Sequence, residues 1–261
     1  MTPIPAMTLV ALAGFLGLWG DEAPDVATPE LVEIPSGTVA FRPFGNFSHA
    51  DKTRTPAARA VEVAGFEIMK YQVSRSDWRA CVAAGACDGE RALDGALPQT
   101  HVNFHDAQAY AGWLSQATGD TWRLPTEEEW QRAAAERYGD ATPRGTDALD
   151  PGERMLEQYE RGVLLRDGTS AALRPAGGFG TNSMGVADIA GSVWEWTSGC
   201  METGTLDASG RVIDSTPYCT VRMAGGRHRA GIIDFIRDPQ VGGCAVGLPP
   251  DYLGFRLVRE R

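Results

Sequence analysis

Four groupings of residues in this chain could do chemistry. The first is Gly185-Val186-Ala187-Asp188-Ile189-Ala190-Gly191-Ser192-Val193-Trp194-Glu195-Trp196. It sets one acid inside a glycine-bounded turn and places a second acid between two tryptophans. Such a turn can offer a hard cation the Asp188 carboxylate together with backbone carbonyls, which is calcium's kind of donor set. A turn feeding a core strand accounts for the same residues equally well. In a strand, Trp194 and Trp196 share one face and Glu195 points to the other. The second grouping is Arg227-His228-Arg229, just after Gly225-Gly226, with Asp234 following. Two guanidinium groups and an imidazole could hold an anion or a carboxylate. A solvated basic loop in an acidic protein is the plainer alternative.

The third grouping is the five cysteines. Cys81 and Cys87 lie close together across a glycine turn, and Cys200 and Cys219 bracket a turn-rich loop. Cys244 is left over. Two local pairs predict two disulfides and an oxidising compartment, although five reduced thiols remain the alternative. The spacing is not that of a zinc site. The fourth grouping is His101 and His105, whose spacing would suit a metal if both stood on one helix. His101, however, falls in an extended piece before the helix.

Composition narrows the classes. The chain has 261 residues, 43% of them apolar, and a formal net charge of −10. It can bury a core, and it carries no basic run with which to neutralise nucleic-acid phosphates. Residues 1–20 carry no charged side chain, and the apolar run from Met7 to Trp19 is 13 residues long. A bilayer span needs roughly 20 residues, so this segment reads as a signal peptide or an uncleaved N-terminal anchor. Residues 21–30 read as a polar linker, and 31–261 as a single domain.

The elements that must position these groups follow from period and punctuation. Leu31 to Phe41 reads as a first strand, 42–58 as a loop, and Val61 to Ile68 as a strand or hairpin. A helix starts at Ser74, with Trp78, Cys81 and Val82 on one face. A second runs from about Asp106 to Ala117 and stops at Gly119. Thr126-Glu127-Glu128-Glu129 is a capping box with three acids at the positive end of a third helix, which carries Trp130. Residues 139–176 show no sustained period. Extended pieces at Val221–Ala224 and Gly254–Val258 close the chain. Strands scattered around mid-chain helices predict one α+β domain rich in irregular structure.

In this order, Arg123-Leu124-Pro125-Thr126-Glu127-Glu128-Glu129-Trp130, Asp188 to Trp196, Gly225-Gly226 and Leu253-Gly254-Phe255-Arg256 resemble the signature of the sulfatase-modifying-factor family, which includes the formylglycine-generating enzymes. His101 to Ala107, with Tyr110 and Trp113, is similar to the family's first helix. The resemblance implies a C-type lectin-like fold with little regular secondary structure. It also implies a structural calcium bound by the Asp188 side chain and the carbonyls of Ile189, Gly191 and Val193. The formylglycine-generating members oxidise a protein cysteine to an aldehyde with copper(I), held by two cysteines shortly after the Gly-Gly pair. The matching stretch here, Gly225 to Phe235, has no cysteine, so no copper site is recognised. Ala111 and Leu257 stand where the family often has a further disulfide.

Three functions are compatible with this reading. The first is an exported accessory or maturation protein, without formylglycine-generating activity, serving a partner protein in the periplasm. The second is a non-catalytic binding module of the immunity or ligand-binding type. The third is a metal-dependent oxidase acting on a protein or a sulfur-containing substrate. Membrane contact is expected only through an uncleaved N-terminus.

Overall fold

The computed structural model describes residues 26–93, 95–139, 172–191, 193–226, 229–233 and 252–260. The described residues form three sheets. The first has the order β1-β6-β12-β7, built from β1 (Leu31–Ile34), β6 (Phe66–Met69), β12 (Val258–Glu260) and β7 (Thr121–Arg123). The second has the order β10-β9-β8-β3-β4, from β10 (Arg229–Ile233), β9 (Val212–Gly225), β8 (Trp194–Leu206), β3 (Gly45–His49) and β4 (Lys52–Thr53); β11 (Leu253–Gly254) pairs parallel to the start of β8. The third is the pair β2 (Gly37–Phe41) and β5 (Arg59–Val63). With three α-helices among the described residues, this is the mixed α+β fold of low helix content that the sequence predicts.

The helices begin where their capping residues place them. Ser74, Asn103 and Thr126 each accept a backbone N–H three residues on, and Asp77, Asp106 and Glu129 return the bond. They start α1 (Arg75–Ala83), α2 (Phe104–Thr118) and α3 (Glu127–Ala134). The second helix starts earlier than its apolar stripe suggests, because Asn103 rather than a later residue is the cap. The side chains of α2 and α1 fill one core with Trp194, Trp196 and Phe255, while α3 packs Trp130 into a second with Ile34, Ile68, Val186 and Ile189.

Several expectations change. Leu31 to Phe41 is two strands in different sheets, since Pro35 has no N–H with which to continue a ladder. Val61 to Ile68 is likewise two strands, β5 and β6, and they do not pair with each other. Residues 42–58 contain β3 and β4 rather than only loop. The partner of β3 is β8, in parallel register from Gly45 opposite Glu202, a pairing that local pattern cannot reveal. The closing strand is split into β11 and β12 by residues 255–257. The core also divides into two clusters where the sequence suggested one. Most of the 139–176 excursion lies outside the described residues.

Candidate functional site

The site is built around Glu195. Alternation along β8 sends Trp194 and Trp196 into the first core, and Glu195 the other way, at 0% exposure. Its Oε1 accepts from Gln72 Nε2 at 2.8 Å and Arg256 Nη2 at 2.7 Å. Its Oε2 accepts from Trp130 Nε1 at 2.8 Å and Arg256 Nε at 2.7 Å. Arg256 is equally buried, and its other N–H groups reach the carbonyls of Met69, Lys70 and Ala187. Each carboxylate oxygen has two donors, which is what a buried charge needs to be tolerated.

The Asp188 turn joins this network directly. Gln72 Nε2, which donates to Glu195, also lies 3.3 Å from the Asp188 carbonyl. Asp188 and Ala190 adopt positive φ, 59° and 54°, so the turn doubles back on itself. The Asp188 carboxylate accepts from the backbone N–H of Gly177 at 2.6 Å and of Phe179 at 2.7 Å. Asn182 fastens the turn to the end of α3 by donating to the carbonyls of Ala133 and Ala134 and accepting from Met184 and Val186. Among the described residues, no donor meets the carbonyl oxygens of Ile189, Gly191 or Val193.

A second buried ion pair stands at the other end of α3. Arg229 Nη1 donates to Glu127 Oε2 at 3.2 Å, with side-chain exposures of 8% and 9%. The guanidinium also lies over the Phe41 ring, 5.1 Å from its centroid. Burial pushes the Glu127 carboxyl up to about 7; Arg229 opposes the rise and the charge of Glu128 adds to it. Of the expected pocket group, Arg229 is therefore turned inward and committed to an acid. Arg227, His228 and Asp234 lie outside the described residues. The Gly225-Gly226 pair has a packing role: a Cβ at Gly225 would sit 2.4 Å from the Trp130 ring, and one at Gly226 2.8 Å from the Trp194 ring.

Cys81–Cys87 and Cys200–Cys219 are disulfides, as their spacing predicts. Cys244 lies outside the described residues. His101 takes a positive φ of 59° and its Nδ1 meets Thr100 Oγ1, whereas His105 stands exposed on α2, so the two do not form a metal pair. Among the described residues, no group of three His, Cys, Asp or Glu side chains converges on a common point.

The model of the sulfatase-modifying factor enzyme 1-like domain family matches residues 20–261. The chain belongs to this family. It is 30% identical over 190 residues to the inactive C-alpha-formylglycine-generating enzyme 2 of Bos taurus, a match covering 71% of this chain and 57% of that protein. It is 28% identical over 229 residues to the formylglycine-generating enzyme of Thermomonospora curvata, covering 73% of this chain and 71% of that one. The match thus spans little more than half the length of the bovine relative. Among solved structures, PvdO from Pseudomonas aeruginosa shares the fold with a TM-score of 0.55 at 21% identity, covering 89% of this chain and 95% of that chain.

For a member of the sulfatase-modifying-factor family, the donor chemistry after the Gly-Gly pair is the decisive departure. Copper(I) takes soft thiolates. Residues 227–235 contain none, and the four described cysteines are consumed in disulfides. These residues do not fit a two-thiolate copper site.

Three features escaped the sequence. Gln72 gives no signal, since an isolated polar residue before a helix cap is unremarkable. Glu127 is visible only as one of three acids favouring a helix dipole, so its burial and its arginine are hidden. Asn182 lies in a glycine-rich loop that carries no period. Arg123 and Arg256, which belong to the family-like segments, both pair with acids, Arg123 with Glu129 and Glu260, and Arg256 with Glu195.

Proposed function

We propose that this domain serves a partner protein outside the cytoplasm, as an accessory or maturation factor, and does not install formylglycine through a copper pair. The observation that carries the reading is the segment after Gly225-Gly226. Where the family's enzymes place thiolates, this chain leads into β10 and a buried Glu127–Arg229 pair. The bovine relative's description as inactive is in keeping with a scaffold retained without that chemistry. Two disulfides favour an oxidising compartment, periplasmic or secreted. No helix among the described residues is long and apolar enough to cross a membrane. The experiment is crosslinking of the full-length protein in its host, followed by purification from the periplasmic fraction. One reproducibly captured partner supports the reading, and covalent change of that partner on incubation separates a maturation factor from a binding module. Formylglycine formed on a cysteine peptide by the purified protein with copper would overturn it.

We further propose that calcium braces the Asp188 turn. The fit rests on hard oxygens: each Asp188 carboxylate oxygen keeps a lone pair after its N–H bond, and the Ile189, Gly191 and Val193 carbonyls lack a protein donor among the described residues. Chelation should then lower the melting temperature, with about 2.7 kcal/mol at stake when calcium stands at 100 times its dissociation constant. An Asp188→Ala variant should no longer respond to calcium. An unchanged melting temperature on chelation of the wild-type protein defeats the proposal.

A further inference from the structure

A cavity of about 1010 Å³ lies between residues 26–30, the end of β6 and the faces of α1 and α2, and it touches the Glu195 network only through Gln72. Its volume is at the upper end for small-molecule sites. Its floor is apolar, with Val73, Trp113 and Leu114 contributing. Polar groups also line the cavity, three of them being Tyr110, the exposed Asp77 and Gln72. Tyr110 is 2% exposed, and its ring is clamped by Trp78, stacked at 6.0 Å, and by Phe255 and Trp113 at 5.4 and 5.2 Å. Among the described residues, no hydrogen-bond partner meets its hydroxyl, although the ring is buried and a phenol in such a place usually finds one; the oxygen is open to the cavity that Tyr110 lines. Burial, and after it the nearby Asp77 charge, push that phenol above the ordinary tyrosine range, so it stays neutral.

Asp77 is the second group. Its Oδ2 caps α1 by accepting from Ser74 N and Ser74 Oγ, and its Oδ1 is left over. The third is Gln72, 6% exposed, whose Nε2 is committed to Glu195 and Asp188 while its Oε1 remains an acceptor. Among the described residues, the lining holds two carboxylates, Glu30 and Asp77, and no lysine or arginine; Lys70 Nζ meets Glu30 at 2.7 Å. The cavity therefore offers acceptors and one negative charge over an aromatic and aliphatic floor.

We propose that this cavity is a binding site for an amphiphilic cation, an ammonium or guanidinium group on an apolar stem. The cation would lie against Asp77 Oδ1, the Tyr110 oxygen and Gln72 Oε1, and the stem against Trp113, Leu114 and Val73. The proposal stands apart from the partner-protein reading, since it uses none of the residues around Gly225-Gly226. Such a cation could be a free amine or a basic side chain in a peptide.

The test is calorimetric titration of the full-length protein with hexylamine, with hexan-1-ol as the uncharged match, and with a blocked Leu-Lys-Leu peptide. Hexylamine should bind about tenfold or more tightly than hexanol, the margin of a charge-assisted contact. Tyr110→Phe, which removes only the hydroxyl, should weaken the amine about fivefold and leave hexanol unchanged. Ala80→Leu, on the exposed wall of α1, should fill the cavity and weaken all ligands without changing the melting temperature. Tighter binding of the peptide than of hexylamine assigns the cation to a peptide, and the reverse order assigns it to a free amine; either supports the site. Equal affinity for amine and alcohol, no binding at millimolar concentration, or amine binding indifferent to both variants overturns it.

Discussion

Glu195 and Glu127 are both buried acids paired with an arginine, and α3 touches both. Trp130, on the inner face of α3, donates to Glu195, and Glu127 begins the same helix three residues earlier. Their surroundings differ. Glu195 has four donors to two oxygens, all at 2.7–2.8 Å, and its arginine also ties down three carbonyls from two other segments. Glu127 has one arginine contact at 3.2 Å and an upward-shifted carboxyl. The first pair has its desolvation offset by hydrogen bonds and holds the fold. The second is only partly compensated, so it can respond to pH. It also fastens β10, the strand that follows the family's Gly-Gly pair.

The largest test of this contrast is to remove each arginine. Arg256→Met should cost about 3–5 kcal/mol in urea denaturation, because Glu195 would be left as an uncompensated buried charge. Arg229→Met should cost less, about 1–2 kcal/mol, because Glu127 can take up a proton and become neutral. Equal losses at pH 7 would erase the distinction between the two pairs.

The next test is pH. The Glu127 carboxyl is raised in the folded state, to about 7 from an ordinary value of 4.5. Between those values the folded protein binds more protons at this group than the unfolded chain, so its contribution to stability falls as pH rises. The contribution is complete below about pH 4.5 and lost by about pH 7, a change of about 3 kcal/mol. Glu127→Gln cannot titrate. The wild-type stability minus that of the variant should therefore drop by this amount between pH 5 and pH 8. A flat difference would mean that water reaches Glu127 in the folded protein. A smaller effect is expected at the other pair: Trp130→Phe keeps most of the ring, removes one donor from Glu195 and should cost about 2 kcal/mol at all pH values. A pH-dependent loss there would show that the two acids are coupled through α3.

How much of this was legible in the sequence divides along the same line. Glu195 could be singled out because it sits between two alternating tryptophans, and Arg256 because it closes a recognisable Gly-Phe-Arg segment. The starts of the first and third helices were legible because a capping box is local, written within four residues; the second was placed too late because its Asn103 cap was passed over for the apolar stripe. Cys81 and Cys87 could be paired because a short turn joins them. The strands were harder. The parallel partner of β3 is β8, on the far side of three helices, and nothing in Gly45–His49 signals it. The Glu127–Arg229 pair was hidden for the same reason. An acid in the first turn of a helix has an adequate local explanation, and only the contact that Arg229 of β10 makes with it reveals another.

The smallest test acts on α3 itself. Thr126 caps the helix by accepting from the Glu129 N–H at 3.1 Å, and Glu129 returns the bond at 2.8 Å while holding Arg123 through two contacts at 2.7 Å. Thr126→Ala removes only half of this arrangement, so the loss should be about 1 kcal/mol or slightly less. Its effect on the two acids should be unequal. Glu127 is the first helical residue, and fraying there admits water to its carboxyl, which lowers the midpoint of its titration toward the ordinary value. Trp130 is a turn further in, so its N–H should keep its bond to Glu195. Carbon-13 titration of Glu127 and the indole proton signal of Trp130 report the two ends separately. A lower Glu127 midpoint with an unmoved indole signal makes the helix start the boundary between rigid and responsive regions. If both signals move, α3 behaves as one rigid piece and the contrast between the acids belongs to their arginines alone.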